Sequence, residues 1–265
     1  MKTFFLNHLK AFRITAAVIA FVMIAGLLYC ASELVGNPIS YLLVKNNAEK
    51  LLAENFADQG YVLENVGYSW KFGNYYAGFA IPNSEDNHFG ISYHINGKPY
   101  SGDFGISDQL SANVRARLEM RYRELVNSVV DSPSYPYSDE IAFGSLDFEY
   151  DMNYGYIIAG ETLVTDGLYD IAELGAKAGK LTIYVPSDGD MTAQKAADML
   201  LELKSYMDRG GVTFNKVDLR YGGYYLDDFP CSDIYEDGLS ERVTASLLST
   251  EEYNAKYDGM KTESE

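Results

Sequence analysis

Five carboxylates, Asp227, Asp228, Asp233, Glu236 and Asp237, crowd around Pro230-Cys231, with Tyr224, Tyr225 and Tyr235 among them. Calcium outside a cell is held by loops rich in such oxygens, so these five are the metal candidates. The same stretch is where a hydrolase or transferase would find titrating carboxylates. Their spacing fits no EF-hand pattern, and a solvated acidic loop accounts for them better. His88 and His94 share one face of an expected strand, with Asp86 and Asp103 as possible further zinc ligands. Along an extended strand the two imidazoles stand roughly 20 Å apart, too far for one ion or one acid–base pair.

Other patterns carry less. Gly175-Ala-Lys-Ala-Gly179-Lys180-Leu181 imitates a phosphate-binding loop but is one residue short and has leucine where Ser or Thr must hold magnesium. Asp188-Gly189-Asp190 sits before a helix, where aspartate caps are ordinary. Arg115, Arg117, Arg121 and Arg123 gather on one helix, with Glu119 four residues from both Arg115 and Arg123, as on a solvated face. There is no Gly-x-Ser-x-Gly elbow and no Ser-x-x-Lys motif. No cofactor is implied, and the expectation is a protein that is not an enzyme.

The strongest signal is one of location. Ile14 to Ala31 is an uncharged apolar run, preceded by Lys2, Lys10 and Arg13 and by no acidic residue. A bilayer-spanning helix needs about 20 apolar residues, and Leu34 with Val35 can extend this one. The basic flank puts residues 1–13 in the cytoplasm and the rest outside. The run is long for a cleaved signal, and Cys30-Ala31-Ser32 is a poor cleavage site. Tyr29 before Cys30 disfavours lipidation, which stays open as an alternative. An uncleaved signal anchor over residues 14–35 is the expectation.

All 38 acidic residues follow that run, in a chain of net charge −17. Nucleic acid is bound through clustered Lys and Arg, so it is excluded as a partner. An acidic body is also repelled by anionic lipid. Two cysteines, Cys30 at the membrane and Cys231 far along, give no internal disulfide framework. A body outside the cell without such staples suits a Gram-positive envelope protein.

The elements behind the anchor alternate. Asn37-Pro38 should cap a helix to about Ala57, with Ile39, Leu42, Leu43, Leu51, Leu52 and Phe56 on its inner face. Strands are expected over 61–71, 75–81 and 88–95, the last with Phe89, Ile91, Tyr93 and Ile95 inward. Asn96-Gly97 should turn it into a return strand, Lys98–Ser101. A long helix, Gln109–Val130, carries the stripe Leu110, Val114, Leu118, Tyr122, Leu125, Val126 and Val129. Residues 131–140, rich in Pro and Ser, read as a linker. Beyond it, strands near 141–150, 156–164, 181–185 and 212–221 alternate with helices, one capped by Asp166 and ending at Ala178, one capped by Asp190 or Thr192. Residues 251–265 read as a polar tail. The fold class is α+β: a transmembrane helix, then two small helix-on-antiparallel-sheet domains over 36–130 and 141–250.

Gly36-Asn37-Pro38-Ile39-Ser40 directly after the span, then Lys45-Asn-Asn-Ala-Glu-Lys50, Asp86-Asn87-His88-Phe89-Gly90-Ile91, Leu181–Val185 and Thr192–Ala196, resemble the YfjL-like proteins of Gram-positive bacteria. The resemblance implies membrane anchoring and this order of domains, and it transfers no catalytic residue. The expected function is binding, as an accessory partner of another envelope protein or peptide. A wall-acting hydrolase or transferase and a calcium-stabilised adhesion module are the alternatives.

Overall fold

The computed structural model describes residues 2–100, 105–136, 141–185 and 192–262. The chain divides into two compact units, Met1–Ile106 and Ser107–Glu265.

The first unit opens with α1 (Lys2–Val35), which contains the expected span. After Gly36, α2 (Pro38–Asn55) starts at the expected cap: Asn37 Oδ1 accepts from the Ile39 N–H at 2.8 Å. Then come β1 (Val62–Ser69), β2 (Asn74–Ala80) and β3 (His88–Tyr93), an antiparallel sheet in that order. Strict alternation along β3 buries Phe89, Ile91 and Tyr93 against Tyr75, Ala77 and Phe79 of β2 and against Val44 and Ala48 of α2.

Two expectations change here. The inner face of α2 is Ser40, Val44 and Ala48, continued by Leu51, Leu52 and Phe56. Ile39, Leu42 and Leu43 stay exposed near the anchor. The Asn96-Gly97 turn forms, with the Gly97 N–H donating to His94 O at 2.9 Å, but Gly97 alone of the pair takes positive φ, at +78°. A return strand does not develop among the described residues: Tyr93↔Pro99 is an isolated bridge, because proline offers no N–H to extend a ladder. Ile95, beyond the end of β3, is exposed.

The second unit is built on α3 (Ile106–Val130), then β4 (Ile141–Leu146), a small meander of β5 (Glu149–Asp151), β6 (Gly155–Ile158) and β7 (Glu161–Thr162), and α4 (Ile171–Ala178). It continues with β8 (Gly179–Val185), α5 (Ala193–Arg209), β9 (Lys216–Tyr221), β10 (Tyr224–Pro230), α6 (Leu239–Ser246), β11 (Leu248–Ser249) and α7 (Thr250–Thr262). The main sheet runs β11-β10-β9-β8-β4. β8 and β9 are parallel, joined through α5, while the other pairs are antiparallel. The second sheet is therefore mixed, since returning through a helix brings a strand back in the same direction.

The boundary between units falls at Ile106, ahead of α3, and not at 131–140. The α3 stripe Val114, Leu118, Tyr122, Val126 and Val129 is buried with Leu181, Ile183, Leu200, Leu203, Val217 and Leu219 in one core. Residues 137–140 of the expected linker lie outside the described residues. The first cap of α4 is Asp170, which accepts from Ala172 and Glu173 N–H; Asp166 instead sits at φ +54° in a turn. Thr192 caps α5, and Asp190 lies outside the described residues. The polar tail is helical to Thr262, because Ser249 and Glu252 form a capping box with bonds of 2.8 Å to the Ser249 N–H and hydroxyl.

Tyr122 ties this core together. Its hydroxyl donates to Thr213 O at 2.9 Å. A Cβ at Gly144 would come within 3.0 Å of its ring, one at Gly175 within 2.7 Å, and one at Gly179 within 2.5 Å of its hydroxyl. Burial pushes the Tyr122 hydroxyl far above the ordinary tyrosine range, so it stays a donor. Removing that donor leaves a buried carbonyl short of a partner, so Tyr122→Phe should cost about 1–2 kcal/mol. Gly175→Ala, where a Cβ would meet Thr213 O at 2.4 Å, should cost about 2–3 kcal/mol. Urea unfolding of the detergent-solubilised chain measures both.

Candidate functional site

The described residues concentrate charge on one face of the main sheet. Along β9 the pattern Lys216-Val-Asp218-Leu-Arg220-Tyr alternates, and Val217, Leu219 and Tyr221 enter the core. Lys216, Asp218 and Arg220 therefore share the other face. Lys180 and Tyr184 of β8 lie there too, in register with Lys216 and Arg220.

A bulge in β10 brings two of the expected metal candidates to this face. Leu226 pairs with Leu219 and Phe229 with Val217, so Asp227 and Asp228 together oppose Asp218. Asp228 takes φ +52°, and its N–H donates to Asp218 Oδ1 at 2.8 Å. Cations answer the carboxylates. Lys180 Nζ lies 3.0 Å from Asp218 and 2.9 Å from Asp228, while Lys216 Nζ reaches Asp147 at 3.3 Å and Asp228 at 3.8 Å. Arg220 reaches Asp227 at 3.7 Å and Asp218 at 3.8 Å.

Asp233, Glu236 and Asp237 do not join them. Their loop is held by Arg242, whose guanidinium donates to the carbonyls of Asp233, Tyr235 and Asp237 at 3.1, 2.9 and 2.6 Å. No group of three or more His, Cys, Asp or Glu stands close enough to hold a metal ion among the described residues. His94 stacks on Tyr100 at 3.8 Å, and His88 lies at the other end of β3. Asp86 is buried; Asp103, Asp188 and Asp190 lie outside the described residues. Gly175 and Gly179 pack α4 into β8 around Tyr122, the helix-then-strand order opposite to a phosphate loop. Of the α3 arginines, Arg115 and Arg123 pair with Glu119 as expected, at 3.9 and 3.5 Å. Arg117 instead turns inward and donates to Gly167 O.

Burial alone would lower the Lys180 ammonium, but its bonds to Asp228 and Asp218 outweigh that and hold its pKa well above the usual lysine value. Burial alone would raise the Asp228 carboxyl, but Lys180 outweighs it and holds it low. A general acid needs a raised carboxyl and a nucleophilic amine a lowered pKa; both shifts here go the other way. Burial pushes the Cys231 thiol up, away from thiolate chemistry.

Next to the charge network lies an open groove of about 280 Å³ lined by Tyr184, Arg220, Tyr221, Tyr224 and Tyr225. The Arg220 guanidinium stands over the Tyr184 and Tyr225 rings at 5.5 and 5.9 Å, and Tyr253 of α7 stacks on Tyr225 at 4.1 Å. The alternation of charges in Lys216–Tyr221 is the sequence signal for this face; the bulge that completes it leaves none.

The fold and this face define an α+β protein with an N-terminal apolar helix and a charge-paired, tyrosine-lined sheet face. A family model described as the YfjL-like N-terminal domain matches residues 11–100, and one described as the YfjL-like C-terminal domain matches residues 121–244. The chain belongs to the YfjL-like family. No curated protein and no solved structure matches it.

Asp228 stabilises the fold fully above its unstructured value of 3.8, and that contribution is lost as pH falls through its lower folded value. Lys180 contributes fully below 10.5 and loses it as pH rises through its higher folded value. Asp228→Asn should flatten the acid limb of a urea-midpoint-against-pH curve. Lys180→Met, which strips the nearest cation from the buried Asp218, should cost about 3 kcal/mol at neutral pH.

Proposed function

We propose that this protein is a single-pass envelope protein of a Gram-positive bacterium, with residues 1–13 inside the cell and the folded body outside. It works by binding, as an accessory partner of another envelope protein or peptide, and not as an enzyme. The observation that carries this reading is the state of the apolar helix. Ala11–Ser32 has a mean hydropathy of 2.4, and none of it is buried within the fold. A helix apolar all round with no protein packed on it is suited to a lipid surrounding, which supports this reading. Lys2, Lys10 and Arg13 then favour an inward N-terminus.

The binding part of the reading is supported by the sheet face of the second unit. Its charges are paired across three strands, and the groove beside them is lined by tyrosines and Arg220, which supports recognition as its use. Tyrosine and arginine are the residue types that dominate binding hot spots.

Protease shaving of intact protoplasts, with a lysed control and probes at both chain ends, tests the topology. Loss of the body with survival of a membrane-held N-terminal fragment is the expected result. Protection in intact protoplasts followed by digestion after lysis would mean the body lies inside. Recovery of the body in the medium without protease would mean the helix is a cleaved signal.

A further inference from the structure

The exposed tip of the β1–β2 hairpin is built for a bilayer surface. Its position follows from Gly36, the residue after α1. Gly36 takes φ +82°, and a Cβ there would come within 2.7 Å of the Tyr75 hydroxyl and 2.9 Å of the Tyr68 ring. That hydroxyl bonds both the N–H and the carbonyl of Asn37, the latter at 2.9 Å. Tyr68 and Tyr75 are themselves a cross-strand pair. This rung of the hairpin is therefore level with the end of α1.

The direction of the hairpin is equally defined. At the far end of α2, Phe56 packs on Tyr61 and Phe89 at ring distances of 5.9 and 5.3 Å, and Phe89 pairs with Phe79 of β2. From Phe79 to Tyr75, β2 therefore runs back toward the start of α2. Beyond Tyr68↔Tyr75 comes one more pair, Ser69↔Asn74, and then the tip Trp70-Lys71-Phe72-Gly73. The tip projects past Asn37, at the end of the sheet where α1 joins the unit. At about 3.4 Å per strand residue it reaches roughly 7–10 Å beyond Tyr68. The apolar span ends at Ser32, which at 1.5 Å per helical residue is about 6 Å short of Gly36. The two lengths match.

The tip's chemistry matches as well. Trp70 and Phe72 are each 71% exposed, and Trp70 is the one tryptophan of the chain. Tryptophan favours the headgroup level of a bilayer. Lys71 lies between them, its Nζ 5.4 Å from the Phe72 ring. From Asn65 to Ser84 the chain carries Lys71 and no Asp or Glu, so the tip itself is locally positive in a protein of net charge −17, and Lys71 can meet an anionic headgroup. Ile39 and Leu42, at the start of α2, add exposed apolar surface beside the anchor.

We propose that Trp70, Lys71 and Phe72 form a second membrane contact, seated in the headgroup–acyl boundary of the leaflet into which the span emerges, which fixes the first unit against the bilayer. This rests on the membrane-anchor reading above. The single tryptophan makes the test direct. The full chain is reconstituted in phosphatidylcholine–phosphatidylglycerol vesicles, with and without brominated acyl chains, and flotation is measured before fluorescence. The expected result is a floating chain whose Trp70 emission is blue-shifted, largely lost to brominated lipid and little affected by aqueous iodide. Lys71→Glu should weaken the bromine quenching and restore quenching by iodide. A chain that floats while Trp70 emits as in water and is quenched by iodide overturns the proposal and leaves the anchor intact. A chain that floats with blue-shifted emission insensitive to bromine overturns it in favour of a protein occupant, such as a second copy. A chain that does not float overturns the anchor reading and this proposal with it.

Discussion

Tyr122 reaches from α3 to the Thr213 carbonyl, through a slot whose walls are Gly144, Gly175 and Gly179. Each glycine belongs to a different stretch of backbone: β4, α4 and the start of β8. A methyl group on any of them would push that stretch off the ring. The slot therefore sets how closely α3, α4 and the sheet approach, and the apolar stripe of α3 fills the space that remains. Register in β8 and β9 follows from the same packing. A slip of one residue would turn Leu181, Ile183, Val217 and Leu219 outward and drive Lys180, Lys216, Asp218 and Arg220 into the core.

That register is what assembles the charged face. Lys180, Asp218, Asp228 and Arg220 come from three strands, and the β10 bulge doubles the carboxylates opposite Asp218. Burying a carboxylate such as Asp218, 5% exposed, is unfavourable without partners. Here the surrounding cations and the Asp228 N–H supply them. The result is a charge-paired surface bordering a tyrosine groove. An acidic cluster of this kind differs from a metal site, where carboxylates converge on a vacant centre and repel one another until a cation enters.

Much of the architecture was legible in the sequence, because periodicity reports one face at a time. The span, the Asn37 cap, the alternation in Phe89–Tyr93 and the α3 stripe were readable for that reason. What failed depended on neighbours remote in sequence. The α3 stripe showed that the helix is buried but not on which sheet, and a Ser- and Pro-rich segment after it imitated a domain boundary. Ile39, Leu42 and Leu43 are apolar at helical spacing yet exposed, because the face of α2 that meets the sheet is Ser40, Val44 and Ala48. Strand direction leaves no mark on alternation, so the parallel β8–β9 pair was invisible. The carboxylate cluster was visible as composition only. Its division, with Asp227 and Asp228 on the sheet and Asp233, Glu236 and Asp237 on a loop pinned by Arg242, follows from a bulge and a guanidinium that no spacing announces.

The joint at Gly36 and Asn37 has a mechanical meaning. A flexible linker would let the body sweep a hemisphere and average out its orientation. This junction has no slack: α1 ends at Val35, α2 begins at Pro38, and the Tyr75 hydroxyl clamps the backbone between them. The first unit and its apolar helix are thus joined without a flexible segment. Torque applied to the unit's sheet passes directly into rotation of α1.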